Sequence, residues 1–140
     1  MTGLFALLGA LVATAAVAWW LRSREGRIRS VGESETPRTV LPEPVRAALV
    51  AGSVTLVQVS TVFCAPCRHA RAVLHQLASS IDGLAHVELD VTDRPEVAVS
   101  LGVSRTPTTV AFTSDGTELL RVGGVPRRDT LIDALRPHLP

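Results

Sequence analysis

The stretch Ser60-Thr61-Val62-Phe63-Cys64-Ala65-Pro66-Cys67-Arg68-His69-Ala70-Arg71 holds both cysteines of the 140-residue chain. A pair spaced Cys-x-x-Cys can bind a metal, staple a fold or exchange disulfides. A tetrahedral zinc site needs about four ligands, and only these two thiols are available. His69, His75, His86 and His138 are scattered, and His69 and His75 lie six residues apart on poorly matched helix faces. No metal is expected. A bridge between Cys64 and Cys67 closes so small a loop that it constrains the unfolded chain little, so stability must come from packing. Exchange chemistry is the reading that remains.

The hydrophobic pattern around the pair predicts alternating elements. Residues 54–60, VTLVQVS, form a β-branched apolar run suited to a central strand. After the cysteines, Ala70, Val73, Leu74, Leu77, Ala78 and Ile81 recur every three or four residues, marking a helix that Gly83 ends. Residues 85–91 alternate as a strand, and 95–102 read as a short helix opened by Pro95 and closed by Gly102. Residues 108–114 and 117–124 flank Asp115-Gly116, a hairpin turn. A closing helix over 126–139 is interrupted by Pro137, and an earlier helix spans roughly 43–51. The order is α-β-α-β-α-β-β-α. Its βαβ crossover makes the first two strands parallel and its hairpin makes the last two antiparallel.

This order puts Cys64 where a central strand meets a helix N-terminus. Unpaired N–H groups and the positive end of the helix dipole stabilise a thiolate there, lowering the pKa of Cys64 and making it the nucleophile. Cys67 lies one turn further on the same side, where it can resolve a mixed disulfide.

Residues Gly3 to Leu21 carry no charge. As a helix they reach ~28 Å, close to the ~30 Å of a bilayer's hydrocarbon core. Trp19 and Trp20 stand at one end, where indoles favour the headgroup interface. The segment lacks a basic n-region and runs from Trp-Trp-Leu directly into Arg, unlike a cleaved signal. A retained single-pass anchor is expected. Arg22, Arg24, Arg27 and Arg29 follow it, so the positive-inside rule favours a cytoplasmic domain, with an outward-facing domain as the alternative. The expected division is 1–22 anchor, 23–44 basic juxtamembrane segment and linker, and 45–140 folded domain. Net charge is +1, which gives no electrostatic basis for a nucleic-acid partner.

Residues 45–139 resemble the thioredoxin family. The resemblance rests on Phe63-Cys64-Ala65-Pro66-Cys67-Arg68, on Thr106-Pro107 before the third domain strand, and on Gly123-Gly124 after the last one. It implies an α/β thioredoxin-like fold, a central mixed sheet flanked by helices, following the N-terminal transmembrane helix. It also implies that Pro107 is the family's cis-proline, beside which Thr106 pairs with an extended substrate strand. Phe63 and Pro66 then form an apolar rim, and Gly123 permits close approach of backbone. The family usually has a buried Asp six residues before the first Cys; Gln58 stands there, and Glu88 on the neighbouring strand is a candidate substitute for proton transfer.

The expected function is a membrane-tethered thiol–disulfide oxidoreductase that reduces protein disulfides. Its cofactor is none beyond the redox-active pair Cys64–Cys67, and its partners are protein disulfide clients and a protein or small-thiol electron donor. Proline before the second cysteine is typical of reducing family members. Two alternatives are a non-enzymatic adaptor or metal carrier with this fold, and a peroxiredoxin-like peroxidase suggested by Thr61-Val62-Phe63-Cys64.

Overall fold

The computed structural model describes residues 2–24, 26–30 and 41–140. Helix α1 (Thr2–Arg24) is followed by strand β1 (Ile28–Ser30) and helix α2 (Glu43–Ala48). Then come β2 (Val54–Ser60), α3 (Ala65–Ser80), β3 (Leu84–Asp90), α4 (Pro95–Ser100), β4 (Thr108–Phe112), β5 (Glu118–Gly123) and α5 (Arg128–Leu135). A 3-10 turn at Arg136–His138 follows, placed where Pro137 cannot continue the α5 hydrogen bonds.

The five strands form one mixed sheet in the order β1-β5-β4-β2-β3. β2 and β3 are parallel, while β2–β4, β4–β5 and β1–β5 are antiparallel. All seven residues of β2 are buried, as expected of a strand covered on both faces. Val57, Val59, Val110 and Phe112 pack with Val45 of α2 and Val97 of α4. Leu56, Ala111, Leu120 and Val122 pack instead with Leu74 and Leu77 of α3 and Leu131 and Leu135 of α5. The two helix layers therefore read alternate residues of the same strands.

β1 lies within the 23–44 stretch expected as juxtamembrane segment and linker. Three residues of the arginine-rich segment add to the sheet, pairing Ile28 with Val122 and Ser30 with Leu120. The edge of β5 offers unpaired backbone groups, and Ile28 packs against the α5-side core, so both hydrogen bonding and burial draw the segment in. The remainder of the linker reading, 31–40, lies outside the described residues.

α1 stands apart from the sheet, with Phe5, Leu11, Val12 and Trp19 each at least 65% exposed. Its stretch Phe5–Ser23 has a mean hydropathy of 1.7, and it is apolar all round rather than on one face. By length and composition it can cross a membrane.

Candidate active site

The C-terminal end of β2 carries the site. After Ser60 the chain turns through Thr61–Phe63, tied by a 3.2 Å hydrogen bond from the Cys64 N–H to the Thr61 carbonyl. Thr92 pins the turn from the β3–α4 connection. Its hydroxyl accepts from the Val62 N–H at 3.0 Å and donates to Asp90 at 2.6 Å. Those Thr92 bonds hold the Asp90 carboxyl below the usual carboxylate range. Cys64 is the N-cap of α3, with Pro66 in the first turn, where its missing N–H costs nothing. No acidic residue occupies that turn.

Cys64 and Cys67 are joined as a disulfide. The two sulfurs are not equivalent: Cys64 is half-buried at the surface, whereas Cys67 is 2% exposed. Phe63 projects beside them at 92% exposure, and Pro66 is exposed on the helix start. The other sequence-selected positions converge on the same end of the sheet, because Thr108 of β4 lies opposite both Val59 and Gly123. The Thr106–Pro107 bond is cis. Thr106 is half-buried and Pro107 buried, and the Pro107 carbonyl accepts from the Gly124 N–H at 2.8 Å. A groove lies between the Thr61–Phe63 turn and Ser104–Thr106, reaching Phe63, the residue before Cys64.

Arg105 enters this arrangement without having been singled out from sequence. A Cβ placed on Gly123 would lie 2.6 Å from Arg105 Nη2 and 3.1 Å from its Nε. The guanidinium therefore lies against the glycine backbone.

Behind the disulfide, Gln58 is fully buried and its Nε2 donates to the Cys67 carbonyl at 3.0 Å. The remaining amide oxygen, Oε1, can only accept, so His86 Nε2, 3.2 Å away, carries the proton between them. Burial pushes the His86 imidazole down, outweighing the opposing pull of Glu88, which favours the neutral ring. Glu88 sits opposite Gln58 across the β2–β3 pair and faces Arg71, whose Nη2 donates to it at 2.8 Å. Burial alone would push the Glu88 carboxyl up. Hydrogen bonds from Arg71 and Ser60, with the Arg71 charge, outweigh it and hold the group below its usual range. A cleft of about 480 Å³ opens between these groups and the pair, lined by Ser60, Phe63, Cys64, Cys67, Arg71 and Glu88 among others.

Among the described residues, no group of three or more His, Cys, Asp or Glu side chains is placed to hold a metal ion. Arg71 follows Cys67 by four residues, so helical spacing alone could have flagged it. His86 needed the strand register, which no local pattern supplies.

A family model described as Thioredoxin matches residues 44–137. The thioredoxin of Staphylococcus saprophyticus subsp. saprophyticus is 32% identical over 91 residues, covering 64% of this chain and 86% of that protein. The thioredoxin of Chlamydia caviae is 30% identical over 91 residues, covering 65% and 88%. Among solved structures, a mutant thioredoxin from Halobacterium salinarum NRC-1 matches with a TM-score of 0.61 at 26% identity, covering 69% of this chain and 83% of that one.

Proposed function

The chain belongs to the thioredoxin family and is a thiol–disulfide oxidoreductase, and on that premise we propose that it is a membrane-tethered reductant of protein disulfides, with α1 as its anchor. The observation that carries the reading is the unequal exposure of two bonded cysteines at a helix start.

In the reduced protein, Cys64 is the attacking thiolate. It is accessible, and the α3 N-terminus with Arg68 nearby favours its charge. It attacks one sulfur of a client disulfide; that bond breaks, a Cys64–client bond forms, and the client's other sulfur leaves as a thiolate. Cys67, its proton passing to the departing client thiolate, then attacks the Cys64 sulfur. The second client thiol departs, and the pair becomes Cys64–Cys67 disulfide. Two electrons pass to the client, and a donor protein or small thiol restores the dithiol. Thr106 and Pro107 align the client strand, with Phe63, Pro66 and Gly123 lining its path.

Glu88 is a poor choice of proton acceptor, because its pairing with Arg71 stabilises the ionised form and weakens it as a base. We assign it instead to the Arg71 ion pair. The domain boundaries follow the same reading, with 1–22 as anchor, 23–44 as a juxtamembrane segment that includes β1, and 45–140 as the catalytic domain. The four arginines in the last turn of α1 and just beyond it (Arg22, Arg24, Arg27 and Arg29) favour a cytoplasmic domain, where a reducing pool keeps the dithiol charged for donation.

The test is selective alkylation of the reduced full chain in detergent, paired with insulin reduction. Cys64 should react and Cys67 should not. Cys64→Ser should abolish reduction, and Cys67→Ser should accumulate a mixed disulfide. Preferential alkylation of Cys67 would sink the assignment. For orientation, alkaline phosphatase fused after Pro140 should be silent in intact cells. It should become active when the four arginines are replaced by Gln and two Lys follow Met1.

A further inference from the structure

Almost no chain separates the apolar helix from the redox end of the sheet. α1 ends at Arg24, and Ile28 is already in register with Val122. Four residues reach at most ~14 Å even when fully extended. Because β1 runs antiparallel to β5, its first residue lies at the sheet end that also holds Ser60, Thr108 and Gly123.

The entry is fastened at that end as well. Gly26 is buried, and its N–H donates a 2.9 Å bond to the carbonyl of Gly123, the glycine that Arg105 covers. Its φ of +71° suits glycine, and a Cβ there would stand 3.0 Å from the Val125 carbonyl oxygen. Across the sheet, β1 is three strand spacings from β2, roughly 14 Å. The polypeptide that leaves the apolar helix thus arrives at the disulfide's end of the sheet, not at the far end of the domain.

We propose that this entry turns the dithiol toward the bilayer, and that its partner is a cysteine pair held at headgroup level by an integral membrane protein. The proposal rests on reading α1 as a span and Cys64–Cys67 as an exchanging pair. Size favours such a partner: a folded soluble client of 100 residues has a radius of gyration of about 13 Å, too bulky for a gap set by a ~14 Å connector. Arg27, Arg68 and Arg105 are exposed around this end and suit anionic headgroups, with the exposed Asp90 standing among them opposite Ser60. The exposed Val62 and Phe63 at the same end suit an interfacial setting.

The test is single-turnover reduction by the pre-reduced full chain in liposomes containing anionic lipid. One disulfide-closed peptide loop is presented in three ways: on a transmembrane peptide at headgroup level, on the same peptide behind a helical spacer of ~40 Å, and free in solution. The loop at headgroup level should be reduced at least about tenfold faster than the spaced loop, a difference of about 1.4 kcal/mol. Twenty Gly/Ser residues inserted after Glu25 should bring the two rates close to equality. As a second readout, bimane on Cys64 of the Cys67→Ser chain should be quenched by headgroup-linked quencher, and the insertion should relieve it. Equal rates for the two displayed loops in the unaltered chain, a ratio that the insertion leaves unchanged, or absent quenching would each overturn the proposal. If the free loop is reduced and the chain resists alkaline carbonate extraction, those results condemn the orientation alone. Failure to reduce even the free loop, or release by carbonate, overturns the underlying reading and the proposal with it.

Discussion

Gln58 and Cys67 are joined by a buried 3.0 Å hydrogen bond from a side-chain amide to a main-chain carbonyl. The pair links the middle of β2 to the first turn of α3, so the floor of the site is a neutral amide. Gln58→Ala would remove the amide's bonds to the Cys67 carbonyl and to His86, leaving the carbonyl its helical partner alone. The lost hydrogen bonds should cost about 1–3 kcal/mol, with the vacated volume adding to it. Urea unfolding of the oxidised chain measures this, and an unchanged midpoint would show that the bond contributes nothing.

Thr109 stands beside Gln58 in the β2–β4 register. It is fully buried, and among the described residues its Oγ1 has no hydrogen-bond partner. Thr109→Val keeps the shape and removes the orphaned hydroxyl, so it should stabilise the fold by about 1 kcal/mol. A loss of stability on the same urea curve would mean the hydroxyl is satisfied in solution.

Stability should fall on acidification in two windows. The His86 imidazole is depressed by burial, so below its usual value of about 6.5 the unfolded chain takes a proton that the fold resists. Its contribution is intact above that pH and is lost as pH falls toward the folded value. Glu88 is held ionised by its hydrogen bonds and by Arg71. Its contribution is present above about 4.3 and disappears as pH drops further. Urea midpoints from pH 8 to 5 should therefore decline, and His86→Gln should flatten the decline. An equally steep slope in the variant would rule out His86 as the cause.

Gly123→Ala tests the groove without attacking the core. The crowding atoms belong to the far end of Arg105, which can swing away, so stability should stay within about 1 kcal/mol. The displaced guanidinium and new methyl should slow reduction of a protein disulfide by about threefold or more, near 0.7 kcal/mol. Reaction with dithiothreitol should be untouched. Equal slowing of both reactions would place the effect on the cysteines rather than the groove.

The sheet and its helices were legible because each core face is written locally. Ala70, Leu74 and Leu77 repeat with the helix, and Val57 and Val59 alternate with Leu56 and Gln58. The cysteine pair, Thr106-Pro107 and Gly123 were legible as motifs. β1 was not, because Ile28 alone carries its apolar signal and its arginine neighbours read as a membrane flank. The Gln58–His86 and Arg105–Gly123 contacts join residues 28 and 18 positions apart. They exist only once the strand register is set.

β3 forms the opposite margin of the sheet from β1, and none of the described residues pairs with its outer side. A free strand edge is a template on which a second chain can add. His86, Glu88 and Asp90 occupy successive positions on one face of that strand, and Arg71 closes over Glu88. A chain adding there would set its own side chains beside ionisable groups at every second position. The polar groups beside the disulfide therefore also disfavour pairing of two copies along that edge.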